Sequence, residues 1–147
     1  MLGSFTRMDT ERALSFLRAH QPMPSDHTIT DEEGATFAAI LEYFETEHDE
    51  RCLPLLIHSA SPDTGLGMYE HIKFVLMAHP REQVIPYLRR GLADGNDGVR
   101  SRCCWWAADV SAWDLIDLIQ PLTAHSDEDV RAAAQAFVEL RDEMSAI

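Results

Sequence analysis

The chain is poor in basic residues, and this shortage excludes whole classes of partner. Only 12 lysines and arginines stand against 25 aspartates and glutamates, which leaves a formal net charge of -13 over 147 residues. Such a charge repels phosphate backbones and anionic lipid surfaces, so we expect neither nucleic acid nor a membrane as partner. A basic protein is the natural complement of this surface.

Cysteine is also scarce, and the three present provide no disulfide framework. Cys103 and Cys104 are adjacent, which is poor geometry for a bridge, and neither they nor Cys52 belong to a CxxC spacing. Free cysteine is among the most buried residue types. We therefore expect three reduced thiols in the core of a cytoplasmic protein.

Targeting, catalytic and metal-binding patterns are missing as well. No stretch near the start resembles a signal peptide, and no apolar run reaches the roughly 20 residues of a membrane span. There is no Gly-rich phosphate loop, nucleophile elbow or HExxH sequence. His48, Cys52 and His58 form the densest group of potential metal ligands, but their spacing does not place all three on one helical face. We expect neither an enzyme nor a protein that carries a cofactor or metal.

What the sequence does contain is helical periodicity. Thr30 and Glu33 form a capping box at the start of an amphipathic helix, and no stretch shows the sustained alternation of a strand. Further helices are predicted over residues 9–19, 49–59, 67–78, 82–92, 97–110, 112–122 and 126–144. The pattern predicts an all-α protein of about seven or eight helices. It forms a single domain over 1–147, in which 1–29 are an N-terminal helix and loop and 30–147 are helical repeats.

The C-terminal half repeats itself with an offset of 31 residues. ADGNDGVRSRCCWWAAD, starting at Ala93, aligns with AHSDEDVRAAAQAFVEL, starting at Ala124, so that Val99 matches Val130 and Trp106 matches Phe137. A further shift of the same size reaches the helix predicted over 67–78. Self-similarity at such a period, with two helices per unit, is typical of a helical solenoid. We therefore expect stacked antiparallel helical hairpins.

These units resemble HEAT repeats. In VIPYLRRGLADGNDGVRSRCCWWAAD and SDEDVRAAAQAFVEL a polar turn bearing Asp or Asn leads into a helix that begins with Val-Arg. The resemblance covers about residues 50–142, although the units are shorter than the usual HEAT repeat and LGMYEH replaces the Val-Arg start in the first. PDTGLGMYEHIKFVL, together with size and acidity, is similar to small HEAT-like immunity proteins of bacterial polymorphic and contact-dependent toxin systems. That similarity implies a cytoplasmic antidote that binds one toxin and covers its surface.

The two adjacent tryptophans suggest where a partner would bind. The repeat register marks Trp106 as a core residue, whereas Trp105 lies about 100° further round the helix. In HEAT-like stacks the second helix of each unit lines a concave face, so the resemblance implies a groove. The predicted groove residues are Tyr69, Glu70, His71, Phe74, Arg102, Trp105 and Asp109. Two alternatives stay open: Trp105 could pack beneath a neighbouring segment, and Tyr69 could be a core residue with its hydroxyl at the edge.

A second candidate surface is the carboxylate run that precedes Arg51. A solvated helix end is its simplest explanation, because nothing apolar nearby would perturb a pKa there. A basic protein could nevertheless use Glu42, Glu45 and Asp49 as a contact patch.

The leading interpretation is a protein-binding module, most specifically an immunity protein that neutralises a cognate bacterial toxin such as a basic nuclease. One alternative is a general HEAT-like adaptor or scaffold for another cytoplasmic protein. The other is a HEAT-like lyase that acts on a protein-bound cofactor, with Glu70 or His71 as proton donor. The oligomeric state does not follow from any of these patterns.

Overall fold

The computed structural model describes residues 8–146, which form helices and their connections without any strand. The eight α-helices of this part are α1 (Thr10–Ala19), α2 (Asp31–Thr46), α3 (Cys52–Ile57), α4 (Ile72–Ala78), α5 (Arg81–Asp94), α6 (Asp97–Asp109), α7 (Ile116–Ile119) and α8 (Glu128–Ser145). Short 3₁₀ segments cover Gly65–His71, Trp113–Leu115 and Gln120–Ala124. The prediction of an all-α protein with seven or eight helices is confirmed. Over the same residues, no helix combines the length and the apolar character needed to cross a membrane.

Side-chain caps define where the longer helices begin. The predicted capping box is present: Thr30 Oγ1 accepts a hydrogen bond from the Glu33 amide at 3.1 Å, and Glu33 Oε1 accepts one from the Thr30 amide at 3.0 Å. Asp9 caps α1 in the same way through the amide of Arg12. A cap of this kind typically contributes about 1 kcal/mol, because it satisfies an amide that has no partner within the helix.

The predicted helix over 112–122 is broken into three short pieces, with α7 between two 3₁₀ segments. Ser111, just before it, has a left-handed φ of 57°. Pro121 has no amide hydrogen to donate to the carbonyl four residues earlier, so a continuous α-helix cannot pass through it without losing a hydrogen bond. The predicted helix over 67–78 is shortened too, because Leu66 and Gly67 have positive φ and the α-helical geometry starts only at Ile72.

The hydrophobic core draws on every α-helix of the described chain. Helix α6 packs chiefly against α8 and α5. Its predicted inner face is confirmed, since Val99, Cys103, Trp106 and Val110 are all buried. All three cysteines are buried and free of disulfide bonds, as predicted, and burial raises the pKa of Cys52 to about 12.

The 31-residue register of the sequence reappears in the way that α6 and α8 begin. Asn96 Oδ1 accepts a hydrogen bond from the Val99 amide at 2.9 Å, and Asp127 Oδ1 accepts one from the Val130 amide at 3.0 Å. Both valines are buried, and the arginine that follows each of them donates to a backbone carbonyl of the preceding turn. The two helix starts therefore share one local construction.

Candidate functional site

A cleft of about 800 Å³ lies between the segment that leads into α4, the outer face of α6 and the first turns of α8. Its aromatic lining consists of Tyr69, Trp105 and Trp106. Its acidic lining consists of Asp63, Glu70, Asp97, Asp109, Asp127 and Asp129, and its cations are Lys73 and Arg102. The cleft therefore combines aromatic surface with an excess of negative charge.

Three of the six carboxylates are engaged with the chain itself. Asp127 caps α8, as described above. Asp97 lies 3.3 Å from the Arg100 guanidinium and 3.7 Å from the His125 ring. Asp63 Oδ2 accepts a hydrogen bond from a backbone amide at 3.1 Å. These three carboxylates stabilise local structure at the edges of the cleft.

The other three carboxylates are free. Glu70, Asp109 and Asp129 are exposed and make neither an ion pair nor a side-chain hydrogen bond with any residue between 8 and 146. Partial burial raises the pKa of Asp109 above its ordinary value, and the positive charge of Lys73 opposes that shift. Three acceptors with no partner in the described chain thus face one concave surface.

Neither cation of the cleft directly neutralises these free carboxylates. Arg102 Nη1 donates to the Ser61 carbonyl at 2.6 Å, and Nη2 donates to the Asp63 carbonyl. The guanidinium also lies 4.8 Å from the centre of the Tyr69 ring. Desolvation lowers the pKa of Arg102, which is half-buried. Arg102, predicted as a groove residue, therefore lines the cleft but also ties the loop before α4 to α6.

Lys73 is positioned differently from Arg102. Its ammonium nitrogen lies 5.3 Å from the centre of the Phe74 ring, on the outer side of α4. An ammonium at this distance from an aromatic face is attracted by the ring quadrupole. Lys73 therefore lines the cleft, and its ammonium group lies near the ring of Phe74.

The Gly-Leu-Gly sequence forms a turn just before two residues that line the cleft, Tyr69 and Glu70. Gly65, Leu66 and Gly67 all have positive φ, and a Cβ at Gly65 would collide with the ring of Tyr69. Asp26, from the loop between α1 and α2, accepts hydrogen bonds from the Gly65 amide at 2.9 Å and from the neighbouring threonine hydroxyl at 2.7 Å. The turn is therefore fixed on both sides, and it leaves Leu66 73% exposed.

Tyr69 has features of both alternatives that the sequence left open, a core residue and a groove residue. It is 2% exposed and meets the Phe37 ring edge-to-face at 5.9 Å, as a core residue would. It also lines the cleft. Its buried hydroxyl has no hydrogen-bond partner within the described part of the chain. Leaving such a group unsatisfied typically costs about 1–3 kcal/mol.

The two adjacent tryptophans have opposite environments. Trp106 is 4% exposed, which confirms it as a core residue, although one edge reaches the cleft. Trp105 is 49% exposed and lies in the cleft wall. Among residues 8–146, about half of the Trp105 side chain stays uncovered.

Two predicted groove residues lie outside the cleft. His71 and Phe74 are exposed on the outer side of α4, with their ring centres 6.0 Å apart. The 31-residue register nevertheless holds in α4, because buried Ile72 and Val75 match the buried residues of α6, and Phe74 is 44% exposed where Trp105 is 49% exposed. The cleft is bordered mainly by α6 and the start of α8, so the matching exposed position on α4 does not line it.

The second predicted surface, at the end of α2, is separate from the cleft. Glu42 and Glu45 are exposed there. Asp49 accepts two hydrogen bonds from the Arg51 guanidinium, at 3.0 and 2.8 Å, and these bonds lower its pKa. Arg51 also pairs with Glu11 at 2.9 Å. Part of this acidic edge is therefore neutralised within the chain.

The acidic residues of α8 were missed from the sequence, although the repeat register contained a signal for them. Asp127 and Asp129 lie one period after Asn96 and Gly98. Gly98 approaches the loop before α4 closely, since a Cβ there would lie 2.8 Å from Pro62 Cα. Extending the groove from the helix faces to the helix starts would have included both aspartates.

Comparison of the chain with protein-family models, with curated proteins and with solved structures gives no match. Within residues 8–146, no group of three or more His, Cys, Asp or Glu side chains has an arrangement that could hold a metal ion. Cys52 Sγ lies 3.9 Å from His79 Nε2, and the centre of the His79 ring lies 4.9 Å from that of His48. The described part of the chain is thus all-α and carries a concave surface that is acidic and aromatic.

Proposed function

We propose that this protein binds a basic protein partner through the cleft, and that the partner is a toxin which the chain neutralises. The observation that carries the proposal is the set of three carboxylates that make no ion pair with residues 8–146, Glu70, Asp109 and Asp129, around the half-exposed Trp105. Unpaired surface charge speeds the encounter with an oppositely charged protein. A tryptophan that loses water on binding supplies short-range affinity.

The toxin part of the proposal is supported by the resemblance to small immunity proteins. The sequence that carries this resemblance, Gly-Leu-Gly-x-Tyr-Glu, contributes Tyr69 and Glu70 to the lining of the cleft, and its Gly-Leu-Gly part forms the turn that precedes them. An antidote that acts by covering its toxin requires a recognition surface and no reaction chemistry. The same cleft would serve a general adaptor, whereas a lyase would have to rely on Glu70, because His71 lies outside the cleft.

Genomic context and coexpression test the toxin assignment. An immunity gene is expected directly downstream of a gene for a large secreted protein. Expression of the C-terminal domain of that protein should arrest bacterial growth, and coexpression of this chain should restore growth and give a complex on size-exclusion chromatography. If no such gene adjoins this one, or if growth stays arrested, the chain is not an immunity protein for that neighbour and the adaptor interpretation gains support.

Binding kinetics of the purified complex test whether the cleft is the contact surface. The association rate should fall as salt rises through 0.1 M, where the screening length is about 10 Å. Trp105→Ala should raise the dissociation rate and cost about 2 kcal/mol, roughly 30-fold in affinity, as a central tryptophan does. Glu45→Lys combined with Asp49→Lys is the matched control at the end of α2. Normal binding by Trp105→Ala, with binding abolished by the α2 variant, would move the site to the end of α2.

A further inference from the structure

We propose that the cleft accepts an arginine side chain of the partner, with its guanidinium stacked on Trp105 and facing the carboxylates of Glu70, Asp109 and Asp129. This inference rests on the proposed function and names the chemical group that the cleft recognises. Four observations support it: the charge of the lining, the exposed indole, the unsatisfied hydroxyl of Tyr69 and the size of the space.

The charge of the lining selects a cation. Three carboxylates make no ion pair with residues 8–146, while Arg102 donates to backbone carbonyls and Lys73 opposes the pKa rise of Asp109 through its charge without pairing with it. Partial burial disfavours the ionised form of Asp109, which raises its pKa. A ligand cation would stabilise that ionised form.

The exposed indole favours guanidinium over ammonium. A guanidinium is planar and weakly hydrated, stacks on aromatic faces and meets carboxylates through paired N–H donors, whereas an ammonium is a compact and strongly hydrated charge. The chain already makes this contact beside the cleft, where the Arg102 guanidinium lies over the Tyr69 ring. A second stack on Trp105 would extend the same pattern into the open part of the cleft.

Tyr69, which lines the cleft, carries a hydroxyl that is buried without a hydrogen-bond partner among residues 8–146. Guanidinium carries five N–H donors and no acceptor, so it can donate to carboxylates and to a hydroxyl oxygen. Because the hydroxyl oxygen is closed to solvent, a ligand donor meets it only if the Tyr69 side chain moves towards the cleft. Such a contact would offset the cost of leaving this hydroxyl unsatisfied.

The size of the space indicates how the guanidinium is delivered. A volume of about 800 Å³ is far larger than one guanidinium group and lies in the range of pockets that hold whole ligands. The remaining space suits the stem of the side chain and the flanking backbone of a partner segment. A protein loop or helix that presents one arginine therefore fits the cleft better than a small inorganic cation does.

Titration with N-acetyl-L-arginine amide, monitored through the Trp105 indole N–H in ¹H–¹⁵N spectra, tests this inference. The Trp105 signal is assigned from its loss in Trp105→Phe. We expect a saturable shift of that signal. N-acetyl-L-citrulline amide, a neutral molecule of the same shape, should bind at least about tenfold more weakly, equivalent to 1.4 kcal/mol. The lysine amide should bind more weakly than the arginine amide at equal ionic strength.

A matched pair of variants on one helix separates the cleft from general charge attraction. Asp129→Asn removes a cleft carboxylate at the start of α8 and should weaken arginine binding several-fold. Asp142→Asn removes an exposed carboxylate near the end of the same helix and should leave it unchanged. Equal effects of the two variants, equal binding of citrulline, or equal binding of lysine would each overturn the assignment of an arginine site.

The outcome of this titration can be distinguished from the outcome of the test of the proposed function. If the arginine amide does not bind but the chain still neutralises its partner, the arginine site is wrong and the binding function stands. If the amide binds specifically but coexpression gives no rescue, the cleft recognises arginine and the toxin assignment is wrong.

Discussion

Two regions of this molecule are rich in carboxylates, and they differ in how those carboxylates are paired. At the end of α2, Asp49 receives two hydrogen bonds from Arg51, which also reaches Glu11. In the cleft, Arg102 is directed at backbone carbonyls, and Glu70 makes no comparable contact in the described chain. The number of carboxylates in a stretch of sequence therefore does not identify a binding surface. What matters is whether each carboxylate is already paired within the chain.

Solvent exposure at the end of α2 and the concave shape of the cleft add to this difference in pairing. The pairs around Arg51 are solvent-exposed, and such pairs contribute only about 0–1 kcal/mol while they reduce the local field. A concave surface with low-dielectric walls focuses the field of its charges instead. Burial raises the pKa of Asp109 in the cleft, whereas hydrogen bonds from Arg51 lower the pKa of Asp49 at the end of α2.

The largest expected effect comes from separating α8 from α6, which would destroy the cleft. Val130 is fully buried at the start of α8, and Val130→Asp would bury an unpaired charge there. We expect a loss of roughly 4 kcal/mol in the free energy of unfolding, measured by denaturant titration. Leu140→Asp, at a position 39% exposed on the same helix, should cost much less, about 1 kcal/mol, through lost helix propensity and partly buried apolar surface. A Val130→Asp protein as stable as wild type would show that α8 does not hold the cleft together.

The adjacent tryptophans give the next test, because one shapes the cleft from the core and the other from its wall. Trp106→Ala should cost about 3–5 kcal/mol of stability by leaving a cavity. Trp105→Ala should cost less than about 1 kcal/mol of stability, since its side chain is half-exposed. Thermal melts of the two variants check the order, and equal losses would contradict the separation of core and wall.

The Gly-Leu-Gly turn before Tyr69 provides a smaller effect with an internal control. Gly65→Ala places a methyl group against the Tyr69 ring at a left-handed φ of 68° and should cost about 2 kcal/mol or more. Gly67 also has a left-handed φ, of 89°, which strains an alanine at this position. No atom lies within 4 Å of the added methyl group, so Gly67→Ala should cost only about 1–2 kcal/mol. Equal losses in chemical denaturation would mean that Tyr69 yields to the added group.

The smallest effect concerns the acidic end of α2. Because hydrogen bonds from Arg51 lower the pKa of Asp49 in the folded state, Asp49 stabilises the fold above its unfolded pKa of about 4 and loses that contribution as pH falls through the folded value. Asp49→Asn should therefore be less stable than wild type at pH 7, by under about 1 kcal/mol, and should converge with it near pH 2.

Glu139→Gln, at an exposed position on α8, is the matched control for the pH series. A gap between Asp49→Asn and wild type that persisted unchanged to pH 2 would show that packing, not charge pairing, explains the role of Asp49. In that case the comparison between the two acidic regions would lose its electrostatic basis.

Much of the architecture could be predicted because its causes are local in sequence. The capping box at Thr30 and Glu33 and the buried face of α6 depend on residues within one or two turns of each other. The break at Pro121 could also have been anticipated from its missing amide. The position of His71 and Phe74 outside the cleft could not, since it depends on how α4, α6 and α8 pack against one another and not on the repeat register.

By itself, the sequence determined the helices, the core and the negative charge of this protein, because periodicity, caps and composition act at short range or need no geometry. The tertiary structure decided which charges are free. Arg102 could not be assigned to the carbonyls of Ser61 and Asp63 without the fold, because those partners lie about 40 residues away in the chain. That long-range contact occupies the Arg102 guanidinium, so the carboxylates of Glu70, Asp109 and Asp129 have no ion pair with it in the described chain.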